Sequence, residues 1–100
     1  PPNNDDPRRG YALVNVLPRE TFEREHIPGS INVSQGREDE LERRFDKEKE
    51  IVVYCASPEC EASAKSAGEL ARRGFRRIVD YEAGMSVWRQ TGHGVEGSAA

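Results

Sequence analysis

Ile51-Val52-Val53-Tyr54-Cys55-Ala56-Ser57-Pro58-Glu59-Cys60-Glu61 is the stretch on which the fold turns. Its first four residues form an unbroken apolar run, the mark of a strand covered on both faces, because a strand wetted on one side alternates apolar with polar. Residues 61–73 then carry a helical pattern that stops at Gly74, so the segment spells strand, loop, helix. Cys55 therefore falls at the carboxyl end of a buried strand, the edge of an α/β sheet where ligands gather.

Working outward, residues 12–17 form a second nearly continuous apolar run with Asn15 as its lone polar insertion, which predicts a central strand. Pro18 suits the first turn of a helix over 19–26, closed by Ile27-Pro28-Gly29. Residues 30–33 are short and β-branched, a further strand. The charged stretch 37–50 reads as a helix with Leu41 and Phe45 four apart on one face and the remainder solvated. In the 61–73 helix, Ala64, Ala67, Gly68 and Ala71 are expected to share the face that approaches the sheet. Ile78-Val79, within 75–81, is the last strand, and 84–90 a short helix closed by Gly92. Strands alternating with helices at this spacing predict an α/β domain with a largely parallel sheet.

The chain has 100 residues, room for one core: a tail over 1–10, a domain over 11–95 and a tail over 96–100. Leu, Ile, Val and Phe total 19 of these, at the edge of the roughly 20% below which chains stay disordered. A net charge of −3 is too small to hold the chain open, and the apolar residues are clumped, so it folds. With 15 basic against 18 acidic residues nothing points to nucleic acid, and no apolar run approaches a membrane span, so neither is an expected partner. Two cysteines are too few for a secreted disulfide framework, which favours a reducing, cytoplasmic compartment. A start at Pro1 rather than Met is compatible with a larger parent protein or partner domain.

Amides at the start of the helix that follows Cys55 carry partial positive charge and favour a thiolate over a thiol. Two readings stand for this residue by position: a reactive thiol, or a small buried hydrophobe at a strand end. The surrounding motifs bear on the choice. Leu13-Val14-Asn15-Val16, His26-Ile27-Pro28-Gly29-Ser30-Ile31-Asn32, Val52-Val53-Tyr54-Cys55, Gly74-Phe75 and Glu82-Ala83-Gly84-Met85-Ser86-Val87-Trp88 resemble, in order and spacing, the signatures of a single-domain rhodanese. The resemblance implies a three-layer α/β fold, a mostly parallel central sheet with helices on both faces, and a sulfurtransferase that needs no cofactor. It further implies Cys55 as the catalytic nucleophile, taking sulfane sulfur from a small-molecule or protein persulfide donor and passing it to a thiol acceptor. The active-site loop would comprise Ala56, Ser57, Pro58, Glu59 and Glu61, with its amides holding the negative charge of the sulfur.

The loop departs from the common pattern. Asn15 and Leu17 stand where many relatives have Asp and Arg, and the loop holds Glu59 and Glu61 but no Arg or Lys. A dianion such as thiosulfate is therefore expected to meet carboxylates with no cation nearby. Rhodanese-like phosphatases place an Arg where Glu61 stands, which argues against phosphate chemistry. Cys60 completes a Cys-x4-Cys loop resembling that of a subset of the family. Either it resolves a Cys55 persulfide or sulfenic acid to a disulfide, or it is a buried cysteine at a helix start. The alternative to an enzyme is a non-catalytic or redox-sensing rhodanese-like module that uses the Cys55/Cys60 pair as a switch in partner binding.

Zinc needs weighing because Cys55, Cys60, His26 and His93 are four ligand types, but the cysteine spacing is long and the His26 motif is structural in the family, so no metal is expected. His26 reads as structural and His93 as solvent-facing. Ser63 is expected to cap its helix, Ser57 is left open, Trp88 belongs to the core, and Gly84 marks a tight backbone position near the site. Arg72, Arg73, Arg76 and Arg77 suit a helix carboxyl end and also offer a patch to an acidic partner.

Overall fold

The computed structural model describes residues 10–98, so all but the last residue of the N-terminal tail lies outside the described residues. The elements run β1 (Tyr11–Asn15), α1 (Arg19–Arg24), β2 (Ile31–Asn32), α2 (Asp39–Arg44), β3 (Glu50–Tyr54), α3 (Ala62–Arg72), β4 (Ile78–Tyr81) and α4 (Gly84–Gln90). The strands form a four-stranded parallel sheet in the order β2-β1-β3-β4. The two apolar runs thus supply its two interior strands, as their lack of alternation predicts.

Both faces of these strands are used. Ala12, Val14, Ile51 and Val53 point into one cluster with Leu41 of α2, Leu70 of α3 and Phe75. Leu13, Val52 and Tyr54 point the other way, against Ile27, Met85 and Trp88. Because each interior strand contributes side chains to two cores, few large hydrophobes suffice, each worth about 1.5–3 kcal/mol when fully buried.

Two local expectations are corrected. The predicted 37–50 helix shrinks to one of 6 residues: Phe45 leaves it with extended backbone, and Asp46 accepts from the Glu48 amide at 2.9 Å, a side-chain turn that competes with helix. Phe45 still packs on the core from outside the helix. In α3 the buried residues are Ser63, Ser66 and Leu70, whereas Ala64, Gly68 and Ala71 face outward. Leu70 sets that face, and Ser66 is tolerated on it because its hydroxyl donates to the Glu38 carboxylate at 2.8 Å. In the segment expected as a C-terminal tail, Glu96 exchanges backbone hydrogen bonds with His26 at 2.8 and 2.9 Å and the Ser98 amide reaches the Glu23 carbonyl at 2.9 Å.

Tyr54 ties the 26–30 turn to β3. The Ile27 amide donates to its hydroxyl at 3.0 Å, and the Ser30 hydroxyl lies 2.8 Å from it while donating to the Ile27 carbonyl at 2.7 Å. Since Ser30 has a single proton, the phenol donates to Ser30. Burial pushes the Tyr54 pKa up, and the polar groups around the hydroxyl, Ser30 foremost, offset this only in part. A raised folded-state pKa means a contribution fully present below the ordinary value of 10.0 and lost as pH climbs through the higher folded value. Tyr54→Phe is expected to cost about 1–3 kcal/mol by orphaning a buried amide, and to blunt the alkaline loss of stability. Denaturant titrations at neutral pH and above pH 10 check both.

Candidate active site

Cys55 is 1% exposed at the end of β3, and its sulfur is bonded to that of Cys60, with Cα atoms 6.2 Å apart. The Cys60 amide donates back to the Ser57 carbonyl at 3.1 Å, closing the loop on itself. Ala56, Ser57 and Cys60 are half-buried, while Pro58, Glu59 and Glu61 are exposed. The start of α3 follows at Ala62 with no side-chain cap, so the partially positive end of an 11-residue helix adjoins the cysteine pair. Ser63 does not cap that helix: it lies one residue inside it and is buried.

The loop is clasped from the other side by α4. The Met85 amide donates to the Cys55 carbonyl and the Ser86 amide to the Ala56 carbonyl, both at 2.9 Å. Gly84 makes this approach feasible. Its φ is +71°, and a Cβ there would lie 2.8 Å from the Cys55 oxygen and 2.9 Å from the Ser57 nitrogen. The tight position expected from sequence is borne out, and its cause is contact with the cysteine loop.

Two cavities flank the loop. One of about 240 Å³ is lined by Cys60 with Pro58, Glu61, Ser63, Asp80 and Glu82, an electronegative entrance. The other, of about 250 Å³, lies between α1, α4 and Ala56, and brings Arg24 and Arg89 beside the loop. Of the loop only Ala56 lines this cavity, so Arg24 and Arg89 stand apart from Glu59, Glu61 and both cysteines. The loop itself has no cation, but α1 and α4 each deliver one from far away in sequence. No local motif marks Arg24 or Arg89, since only the packing of two helices on the sheet edge makes them neighbours. Arg89 is paired with Glu25 at 2.9 Å.

The remaining candidates are occupied elsewhere. His26 donates through Nδ1 to the Phe22 carbonyl at 2.7 Å, stacks on Phe22 and lies 3.5 Å from the Glu96 carboxylate, a structural role. His93 is exposed and packs on Trp88, which itself rests on the core and donates to the Gly94 carbonyl. Among the described residues no three His, Cys, Asp or Glu side chains converge as a metal site requires. Asn15, fully buried, spends its side-chain oxygen on the Leu17 amide at 2.9 Å. In the arginine cluster, Arg72 and Arg73 bind Glu69, Arg73 also binds Glu42, and Arg76 and Arg77 reach Glu48 and Glu50. Its charge is already matched on the same surface. Arg72 and then Arg73 hold the Glu69 carboxyl below its ordinary pKa, and Lys47 and then Arg73 do so for Glu42.

A parallel sheet whose interior strand hands a cysteine to a loop gripped by the last helix defines a class: α/β domains that present sulfur at the carboxyl edge of the sheet. The family model of the rhodanese-like domain matches residues 3–91, and the chain belongs to that family. It is 31% identical over 83 residues to thiosulfate sulfurtransferase GlpE of Pseudomonas syringae pv. syringae, covering 83% of this chain and 76% of that protein. The HTH-type transcriptional regulator Rv0324 of Mycobacterium tuberculosis is 32% identical over 88 residues, which are 88% of this chain but 38% of the regulator. Among solved structures, the BH2092 protein of Bacillus halodurans superposes with a TM-score of 0.82 at 34% identity, over 90% of this chain and 66% of that one. The fold expected from the motifs is thus the fold found.

Proposed function

We propose that this domain is a sulfurtransferase that carries sulfane sulfur on Cys55. The observation that carries the reading is the setting of Cys55: at the carboxyl end of an interior strand, its carbonyl held by α4, its sulfur within bonding reach of a second cysteine. The sulfurtransferase name of a relative matched over most of the chain supports it. In the reduced protein the Cys55 thiolate attacks the outer sulfur of a donor persulfide, the donor's S–S bond breaks, and the donor thiolate leaves. The acceptor thiolate then attacks the outer sulfur of the Cys55 persulfide and regenerates the Cys55 thiolate. Loop amides would hold the charge on sulfur.

Cys60 has the role of resolving thiol. Its thiolate attacks the inner sulfur of the Cys55 persulfide, expels hydrogen sulfide and leaves the Cys55–Cys60 disulfide; on a sulfenic acid the same attack releases water. A disulfide of this sort fits a reducing, cytoplasmic setting as a transient catalytic bond. Glu59 and Glu61 make a small dianion such as thiosulfate a poorer donor than a persulfide whose charge lies away from the sulfur. Mass spectrometry of the reduced protein after incubation with each donor tests the assignment: one added sulfur on Cys55 is expected, more with glutathione persulfide than with thiosulfate. After one equivalent of polysulfide or peroxide, thiol counting is expected to show both thiols lost in wild type; if both stay free, Cys60 does not resolve.

The second reading, a redox-sensing module, is favoured by the disulfide itself and by the similarity to a transcriptional regulator. It predicts a wild type inert towards every sulfur donor yet converted between dithiol and disulfide forms that differ in partner binding.

A further inference from the structure

The cavity between α1, α4 and Ala56 has a composition that the cysteine chemistry does not require. Leu17, Ala56 and Met85 give it an apolar floor; Thr21, Arg24, Glu25 and Arg89 form its wall. Its volume of about 250 Å³ is just below the roughly 300–1,000 Å³ usual for small-molecule sites. Neither cysteine lines it, so an occupant would touch the sulfur only through an arm extended along the loop.

The charges in this wall are unequally matched. Arg89 is paired with Glu25 at 2.9 Å, and neighbouring Arg19 with Glu23 at 3.1 Å. Arg24, exposed at the end of α1, makes no ion pair with a carboxylate among the described residues. A guanidinium is donor-only and grips a carboxylate through two parallel hydrogen bonds. An unpaired one beside an apolar floor, at the edge of a cysteine loop, suits an organic acid.

We propose that this cavity is a subsite for the carboxylate of a low-molecular-weight organic persulfide, with Arg24 as its anchor and Leu17 and Met85 covering its carbon chain. The inference rests on the sulfur-transfer reading and adds which persulfides are preferred, those bearing a carboxylate, and the residue that holds them. It also separates such donors from thiosulfate, whose charge sits next to its transferable sulfur rather than on a separate carboxylate. When Cys55 takes the outer sulfur, the donor's own thiolate departs with its carboxylate still on Arg24, so the subsite holds the leaving group rather than the transferred atom.

The test uses the reduced 100-residue protein with cysteine persulfide and glutathione persulfide as carboxylated donors and 2-hydroxyethyl persulfide as an uncharged one. In Arg24→Gln the ratio of kcat/KM for carboxylated over uncharged donors is expected to fall about tenfold, through KM, as loss of one charge-assisted contact implies. Arg24→Lys, which keeps the charge but not the fork, should fall between the two. Arg24 is exposed, so thermal melts of the variants are expected to overlay wild type and exclude a folding defect. An unchanged ratio in Arg24→Gln overturns the subsite while leaving sulfur transfer intact. A wild type that takes sulfur from none of the three donors overturns sulfur transfer, and the subsite with it.

Discussion

Cys55→Ser is expected to reduce sulfur transfer to background, a loss of about a thousandfold or more, as for removal of a covalent nucleophile in other enzymes. A serine oxygen is far less acidic than a thiol and cannot hold a sulfane sulfur, so no step of the transfer survives. The substitution is nearly isosteric at a site that is 1% exposed, so the reduced protein keeps its fold. In the oxidised protein the variant also removes a short cross-link, worth about 2 kcal/mol by loop-closure entropy. Activities are therefore compared under reducing conditions, with near-ultraviolet circular dichroism as a check on packing. Cys60→Ser separates the two sulfurs: it should still load sulfur on Cys55, but release no hydrogen sulfide in the absence of an acceptor and form no internal disulfide. Cys55→Ser retaining donor turnover would remove the residue from the mechanism.

Gly84→Ala is expected to cost about 2–5 kcal/mol, combining about 1–2 for a non-glycine residue in left-handed backbone with about 1–3 for forced overpacking. The second contribution is specific to this site. The added Cβ would fall 2.8, 2.9 and 3.1 Å from backbone atoms of Cys55, Ser57 and Ala56, which cannot rotate aside as a side chain would. Relief requires α4 or the cysteine loop to shift, breaking the 2.9 Å hydrogen bonds from Met85 and Ser86. Tm should fall by about 10 °C or more for a domain of this size. Sulfur transfer in folded protein should drop as well, because displacement of a reacting group by about 1 Å costs up to a hundredfold. Gly92→Ala is the control: its φ is +83° but a Cβ there meets nothing within 4 Å, so it isolates the backbone contribution. Equal Tm losses at the two glycines would mean that α4 does not grip the loop.

The contrast between what could and could not be read in advance follows particular residues. Ile51 to Tyr54 and residues 12–17 announced interior strands because a strand covered on both faces has no polar period, and the sheet bears this out. Gly84 was legible because its motif is local. The buried face of α3 is not legible, since small residues mark where a helix can approach closely, while Leu70 and a hydroxyl with a buried carboxylate partner determine where it does. The exit of Phe45 from α2 is not legible either, because periodicity carries no information about the Asp46 turn that follows the helix. Tyr54 read as one more apolar strand residue; its hydroxyl partners lie 24 and 27 positions away.

By itself, then, the sequence determined the order of strands and helices, the two-sided core, the family and the position of Cys55, because each depends on periodicity or on short motifs within a single element. Only the tertiary structure decided what surrounds the sulfur: the bond to Cys60, the grip of α4, the acidic entrance at Asp80 and Glu82, and the cationic cavity of Arg24 and Arg89. Apart from Cys60, which shares the loop, those neighbours come from α1, α4 and the end of β4, and a field or a cavity is a sum over atoms close in space, which chain order does not encode.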